Sequence, residues 1–116
     1  MAADSVLFIG WDRAVHGKEK ESLEAFAAAL AFGGPQVASG KVDSVEPVLL
    51  DRHGGDLNGF MLVRGSAANL AAIADSDEFR DLVIRADMYV RGIGIITGKT
   101  GEGVQRELAR FMKHIG

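Results

Sequence analysis

The chain has no cysteine, no long apolar run and no excess of basic residues, and each absence excludes a class of protein. Without cysteine there is no disulfide, no thiolate nucleophile and no cysteine-ligated zinc or iron–sulfur centre. The apolar run near the amino end is too short for a secretory signal or a membrane-spanning helix, so we predict a cytoplasmic protein without membrane association. Lysine and arginine total 13 against 16 aspartate and glutamate, a net charge of −3. Because no basic stripe is interleaved with aromatics, we expect no nucleic-acid partner.

The 116 residues have an ordinary globular composition, 47% apolar and 25% charged. This length suits one domain spanning residues 1–116. The most informative feature is one β-α-β unit that is used twice. The pattern predicts strands at 5–11, 41–50, 59–64 and 88–97, and helices at 18–32, 66–86 and 103–115.

The ends and faces of these elements follow from local signals. The run Gly33-Gly34-Pro35 is expected to end the first helix. Residues 75–77, Asp-Ser-Asp, are expected to interrupt the second helix and cap a second piece. Pro47 is expected to place the second strand at an edge of the sheet, because proline removes a donor from the ladder. The inward stripe of the first helix is predicted at Leu23, Phe26, Ala27 and Leu30.

Two β-α-β halves joined by a tight turn match the split β-α-β, ferredoxin-like motif. Its sheet order is 4-1-3-2, which makes the first and third strands central. Those two strands are apolar at both odd- and even-numbered positions, as expected for strands that are buried on both faces. We therefore predict an α+β, ferredoxin-like fold (βαββαβ) with an extra carboxy-terminal helix.

One face of such a sheet carries no crossover helix and needs another cover. That face holds either Val6, Phe8, Phe60 and Leu62 or the alternate set Leu7, Ile9, Met61 and Val63. Burial of each such side chain is worth roughly 1.5–3 kcal/mol, and together they would form an unusually large exposed apolar patch. The final helix could cover part of it, but the simplest cover is a second copy. We predict a homodimer, and a higher oligomer stays open.

The segment 59–65, Gly-Phe-Met-Leu-Val-Arg-Gly, leads into a helix, and Ser-Asp-Glu-Phe at 76–79 precedes a long last strand. Together with the repeated halves, these features resemble the dimeric α+β barrel superfamily. It includes antibiotic-biosynthesis monooxygenases, YciI-like proteins, muconolactone isomerases and stress-response barrel proteins. The resemblance is architectural and covers nearly the whole chain. It implies a homodimer with a pocket between sheet and helices, and it transfers no catalytic residue because no catalytic motif of these families stands out.

The topology gathers polar side chains at one end of the predicted sheet, where the first two strands end and the last two begin. They are Asp12, Arg13, His16, Asp51, Arg52, His53, Asp56, Asn58, Asp87 and Tyr89. Histidines among carboxylates could transfer protons near neutral pH, and His16, in the loop after a central strand, is the candidate catalytic acid/base. Solvated, turn-forming loops would carry the same residue types, and both interpretations stay open.

Several other residues near this end are candidates for binding a ligand. Trp11 and Tyr89 could line a pocket or be core residues whose polar tips reach water. Arg91, predicted inside the last strand, could hold an anionic ligand, pair with a carboxylate of another subunit or reach solvent from an edge. His53 is also explained by the glycine-rich turn that it begins. The candidate ligand-binding residues are Trp11, Asp12, Arg13, His53, Tyr89 and Arg91.

Two further patterns indicate no site. The three histidines are too scattered for metal-ligand spacing such as His-x-x-x-His, so we predict no metal, and no residue pattern calls for a cofactor. Gly98-Lys99-Thr100 before a helix is similar to the end of a phosphate-binding loop, but that motif requires a glycine where Ile93 stands.

The residues support two functions from different classes. The first is a small-molecule-binding protein or cofactor-independent enzyme that acts on an apolar or aromatic metabolite. The second is a non-catalytic homodimeric structural or ligand-sensing module. An enzyme should have a concave apolar cavity with His16 or His53 pointing into it. A structural module should have a filled core and solvated histidines.

Overall fold

A computed structural model describes residues 3–115, in which four strands form one antiparallel sheet. The strands are β1 (Ser5–Trp11), β2 (Ser44–Leu49), β3 (Gly59–Gly65) and β4 (Gly94–Lys99). The helices are α1 (Glu19–Ala38), α2 (Ala67–Ala74), α3 (Asp77–Tyr89) and α4 (Glu102–Ile115). The sheet order is β2-β3-β1-β4, so the predicted α+β, ferredoxin-like fold with central strands β1 and β3 is confirmed.

The register of the sheet decides which residues share a face. β1 pairs antiparallel with β3 and β4, and places Leu7 opposite Val63 and Phe8 opposite Leu62. Leu7 and Val63 belong to the core beneath α1, α2 and α3, so we call their side the helix-covered face. The other parity is the helix-free face; its apolar residues are Val6, Phe8, Val48, Phe60, Leu62 and Ile96, and the ion pair of Arg64 with Glu46 lies on the same face. The sequence left open which of two alternating sets of residues lies on the helix-free face. The register assigns the set that contains Phe8 and Leu62 to that face.

The buried core lies between the helix-covered face and the first three helices. Its members are Leu7, Val42, Val63, Leu70, Ile73 and Phe79. The predicted break between α2 and α3 is confirmed, since Ser66 Oγ accepts from the Asn69 backbone N–H at 3.2 Å and Ser76 Oγ accepts from the Phe79 N–H at 3.3 Å. Each serine satisfies a free donor at the start of its helix.

Helix α1 continues past its predicted end, through Gly33-Gly34-Pro35 to Ala38. Gly33 is buried, and an added Cβ there would lie 3.3 Å from Val45 Cγ2. This glycine therefore lets the helix approach β2 closely instead of ending the helix. Tertiary packing outweighs the local breaker signal, as it often does for propensity.

The inward face of α1 also differs from the predicted stripe. Ala25 and Gly33 are buried, whereas Leu23 and Leu30 are exposed. Because the helix is apolar on most sides, periodicity could not separate the inward face from the outward one. Ala25, Ala29 and Gly33 all lie on the inward face, and these small residues bring the helix close to the sheet.

The last strand is shorter than the predicted span 88–97. Tyr89 ends α3, Arg91 and Gly92 form a turn, and β4 begins only at Gly94. Gly92 has a φ of +70°, a left-handed conformation that favours glycine. Both Tyr89 and Arg91 were therefore wrongly assigned to a strand. The backbone here pairs with the loop after β1 through the bridge between Ala14 and Val90.

The second strand is also shorter than its predicted span 41–50, but it lies at a sheet edge and contains Pro47, as expected. Helix α4 begins beside the start of β1, where Arg106 pairs with Asp4. Exposure of its apolar side chains rises from 39% at Val104 to 75% at Ile115. The helix therefore does not bury its stripe within this chain. None of the helices in residues 3–115 has the length and apolarity needed to cross a bilayer.

Candidate functional site

A cavity lies between the helix-covered face and helices α1 and α3. It has two adjoining compartments, of about 230 Å³ and about 80 Å³. Both compartments are lined by Ile9, Ala29, Met61, Ala86 and Ile93. The smaller compartment lies among core side chains, and the larger one reaches the end of β1. The cavity therefore lies between the sheet and the helices, where the resemblance implied a pocket.

Small side chains create this space. Ala25 and Ala29 of α1 and Ala86 of α3 all line the larger compartment. A leucine at any of these positions would extend into the cleft between the helices and the sheet. The alanine-rich composition of α1 is therefore a determinant of the cavity as well as of the helix.

Trp11 forms one wall of the larger compartment. Its ring packs edge-on against Phe26, with the ring centroids 5.8 Å apart. It also lies over Gly59, where an added Cβ would come within 2.6 Å of a ring carbon. A side chain at position 59 would displace the indole, so Gly59 is required for this wall.

Asp12 and Arg13 form the polar end of the same compartment. Asp12 Oδ1 accepts a hydrogen bond from Asn58 Nδ2 at 2.7 Å and another from Arg13 Nε at 3.3 Å. The Asp12 side chain is 23% exposed, whereas that of Arg13 is 64% exposed. The carboxylate is therefore the more enclosed of the two charges, and the guanidinium reaches solvent.

Backbone hydrogen bonds join three segments at this end of the sheet. The Asp12 N–H donates to Arg91 O at 2.9 Å, and the Arg91 N–H donates to Arg13 O at 2.8 Å. The Asn58 N–H donates to Trp11 O at 2.9 Å. The end of β1, the start of β3 and the turn before β4 thus meet, as the strand directions predicted. Asp12 is held by contacts from all three.

His53 does not join this group, because its ring organises its own loop. Its Nδ1 accepts from the Gly55 N–H at 3.2 Å, and its Nε2 lies 2.6 Å from Leu57 O, to which it donates. The residue is exposed and does not line the cavity. Both ring nitrogens are engaged within five residues of chain, which matches the turn-forming interpretation.

His16 lies in the turn before α1, exposed and outside the residues that line the cavity. It sits beside the first turn of the helix. Hydrogen bonds from the backbone N–H groups of Glu19 and Gly17 lower the pKa of the Glu19 carboxyl, and the nearby His16 adds to this effect. His16 does not line the cavity, so its role as an acid/base stays a prediction.

Tyr89 and Arg91 contribute to the site through their backbones. Tyr89 O accepts from the Val15 N–H at 2.8 Å, and the Arg91 side chain is exposed. Neither residue lines the cavity. The lining residues that sequence reasoning missed include Phe26, Ala29, Leu49, Met61, Ala86 and Ile93. The four-residue spacing of Ala25, Ala29 and Gly33 was the available signal for a close helix–sheet approach. Within residues 3–115, no cluster of three or more His, Asp or Glu could hold a metal.

No protein-family model and no curated protein matches the sequence. Solved structures share its fold over most of its length. A dimeric, ferredoxin-like protein of unknown function from Bacteroides fragilis is 11% identical, with a TM-score of 0.60, and covers 83% of this chain and 96% of its own. The hydroxynitrile lyase from Passiflora edulis is 14% identical, with a TM-score of 0.63 and coverages of 86% and 96%. SnoaB, a cofactor-independent oxygenase from Streptomyces nogalater, is 17% identical, with a TM-score of 0.52 and coverages of 85% and 93%.

The chain has the ferredoxin-like α+β fold of these solved structures. The resemblance inferred from the repeated β-α-β halves is thus confirmed at the level of the fold. At these identities the likeness shows the fold alone. The neighbours include proteins named as enzymes and proteins of unknown function, so function has to be argued from the site of this chain.

Proposed function

We propose that this protein binds a small apolar or aromatic molecule in the cavity beneath α1 and α3. The observation that carries this proposal is an unfilled compartment of about 230 Å³ whose lining includes the small side chains of Ala25, Ala29 and Ala86. An apolar cavity of about 150 Å³ accommodates benzene in another protein. The larger compartment therefore suits a ligand with one or two aromatic rings. Its walls include Trp11 and Phe26, whose rings can contact an aromatic ligand.

Binding without chemistry is supported more directly than catalysis. His16 and His53 both lie outside the residues that line the cavity. A cofactor-independent enzyme is the second candidate, and it is supported by the fold that this chain shares with a cofactor-independent oxygenase and a hydroxynitrile lyase. A ligand-sensing module uses the same cavity and requires no acid or base at its wall.

We further propose that two copies pair through their helix-free faces. Ile96 is 60% exposed on this face, and Phe8 stacks on Phe60 with ring centroids 5.0 Å apart. An added Cβ at Gly94 would meet no atom within 4 Å, so β4 leaves a gap beside Ile96. Side chains of an opposed sheet can fill such a gap, as they do in packed sheets. Apolar surface of this extent is costly to leave in water.

The sheet faces alone do not supply a full interface. Four strands of six residues measure about 19 Å by 20 Å, so two such faces bury roughly 800 Å². Stable interfaces bury about 1,200–2,000 Å². The exposed stripe of α4, which comprises Val104, Leu108, Phe111, Met112 and Ile115, can supply the difference if it packs on the partner. We therefore include α4 in the proposed interface.

The cavity proposal is tested by filling the cavity. A thermal-shift screen with aromatic fragments should find ligands that stabilise the wild-type protein. Ala29→Leu extends into both compartments and should abolish that stabilisation, whereas Ala27→Leu adds the same atoms on the exposed side of α1. Circular dichroism checks that each variant folds, and Ala86→Val provides a second, smaller filling. Equal stabilisation of Ala29→Leu and Ala27→Leu by the same fragments would place the binding site elsewhere.

A further inference from the structure

The larger compartment has few polar groups, and they differ in availability. Its charged or hydroxyl-bearing residues are Asp12, Arg13 and Ser22. Ser22 Oγ donates to Glu19 O at 2.9 Å, within α1. The Arg13 guanidinium is mostly exposed, and its Nε already donates to Asp12. The carboxylate of Asp12 is therefore the more enclosed of the two charged groups at this compartment.

Asp12 keeps one carboxylate oxygen uncommitted. Its Oδ1 accepts from both Asn58 Nδ2 and Arg13 Nε. No donor among residues 3–115 hydrogen-bonds to its Oδ2. An ionised carboxylate is an acceptor only, and hydrogen bonds to charged groups are stronger than those between neutral groups. A ligand donor is the group that this oxygen would bind best.

The position of Asp12 is held from both sides. Its N–H donates to Arg91 O, and the side chain is held by Asn58. Gly92 packs against it so closely that an added Cβ would lie 3.1 Å from Asp12 Cβ. A carboxylate held in this way presents an acceptor in a fixed place, which favours one ligand orientation.

We infer that Asp12 Oδ2 accepts a hydrogen bond from a hydroxyl group at one end of an otherwise apolar, aromatic ligand. This inference rests on the proposed function and narrows its ligand class to phenol-like molecules. The rings lie between Trp11 and the alanine-lined wall, and the hydroxyl points to the end of β1. Aromatic carboxylates are disfavoured because they would place a second negative charge beside Asp12.

Three matched probes test the inference: 2-naphthol, 2-methylnaphthalene and 2-naphthoate. They share one ring system and differ in a donor, a methyl group and an anion at the same position. The chain has a single tryptophan, so its one indole N–H signal in a ¹H–¹⁵N NMR spectrum reports on the wall of this compartment. We expect 2-naphthol to bind at least tenfold more tightly than 2-methylnaphthalene, about 1.4 kcal/mol, and 2-naphthoate to bind most weakly.

Asp12→Asn separates the hydrogen bond from the shape of the site. The amide oxygen can still accept from Asn58, while an NH₂ group replaces Oδ2. The preference for 2-naphthol over 2-methylnaphthalene should fall from tenfold to within about threefold, and binding of 2-methylnaphthalene should be unchanged. Asp81→Asn, an exposed position on α3, is the matched control and should preserve the wild-type order.

The outcomes distinguish the inference from the proposed function. If 2-naphthol and 2-methylnaphthalene bind the wild-type protein equally, the inference is overturned and the cavity proposal stands. Tightest binding of 2-naphthoate would also overturn it, by assigning recognition to Arg13. If none of the three probes shifts the indole signal at millimolar concentration, the proposed function itself fails for this ligand class. Should Asp12→Asn fail to fold, the order of the probes on the wild-type protein decides the question.

Discussion

The two faces of this sheet are built from alternate residues of the same strands, and they differ in how they are completed. Leu7 is 1% exposed beneath the helices, whereas Phe8, the next residue, stacks on Phe60 on the helix-free face. The helix-covered face has a core and a cavity within one chain. On the helix-free face, Phe8 and Phe60 are half-buried and Ile96 is exposed. Apolarity at both parities of a central strand thus predicts two packing surfaces, and only one of them is completed in this chain.

Glycines make room for side chains on both faces. On the helix-covered face, Gly59 makes room for Trp11. On the helix-free face, Gly10 makes room for the Phe8 ring, whereas Gly94 borders open space. Only Gly94 leaves space that a second copy can occupy.

The largest expected effect is on the helix-covered face. Leu7→Ala should lower the free energy of unfolding by about 2–5 kcal/mol, because it removes a fully buried side chain and leaves a cavity. Urea denaturation at a fixed protein concentration measures this loss. Phe8→Ala, the neighbouring change on the other face, should cost less when both variants are compared as monomers. The reverse order would contradict the assignment of the two faces.

The next effect concerns the helix-free face. Leu62→Asp should dissociate the homodimer while the chain stays folded, because the charge lies outside the core of one protomer but would be buried between two. Sedimentation velocity and circular dichroism together report the two properties. Ala72→Asp, exposed on α2, should leave the dimer intact. An unfolded Leu62→Asp chain, or an unaltered dimer, would count against the proposed interface.

A smaller effect is expected from α4. Phe111→Ser should weaken self-association by about tenfold or more, since it removes a large apolar side chain from the proposed interface. Lys113→Ser, on the same helix but not in the apolar stripe, is the control. Sedimentation equilibrium gives both dissociation constants. If the two variants associate as tightly as the wild-type protein, α4 lies outside the interface.

The smallest effect is expected at His16. Because the side chain is exposed, His16→Ala should change the free energy of unfolding by no more than about 0.5 kcal/mol. Probe binding in the cavity should also persist, because His16 does not line it. A loss of probe binding with unchanged stability would bring His16 into the site. Its predicted acid/base role requires a turnover assay.

The fold followed from the sequence because its signals were redundant. Two β-α-β units, double-sided apolarity in β1 and β3, and Pro47 at an edge all indicated the same sheet order. The helix and strand boundaries that were predicted wrongly depend on contacts between residues distant in sequence. The local sequence at Gly33 predicts a helix end, but packing against Val45, twelve residues away, keeps Gly33 inside α1. Residues 88–93 have a strand-like pattern, but residues 89–91 pair with the loop after β1.

The site was less predictable for a related reason. Asp12 and Arg13 were predicted to bind a ligand because they follow a central strand, and Trp11 because it lies near the same end. All three line the cavity, and their role in binding stays a prediction. The alanines that create the space carry no chemical signal in sequence, and their role depends on which face of α1 turns inward. For His53 the sequence left a ligand-binding and a turn-forming interpretation open, and both ring nitrogens bond within its own loop.

The central claim is that the helix-free face pairs with a second copy, whereas the helix-covered face packs within its own chain. Isotope-filtered NMR on a dimer of one labelled and one unlabelled copy tests this claim most directly. The experiment detects nuclear Overhauser effects only between protomers. We predict such effects for the ring protons of Phe8 and Phe60 and for the methyl groups of Ile96, and none for Leu7 or Met61. Inter-protomer effects from Leu7 and Met61, with none from Phe8 and Phe60, would contradict the account.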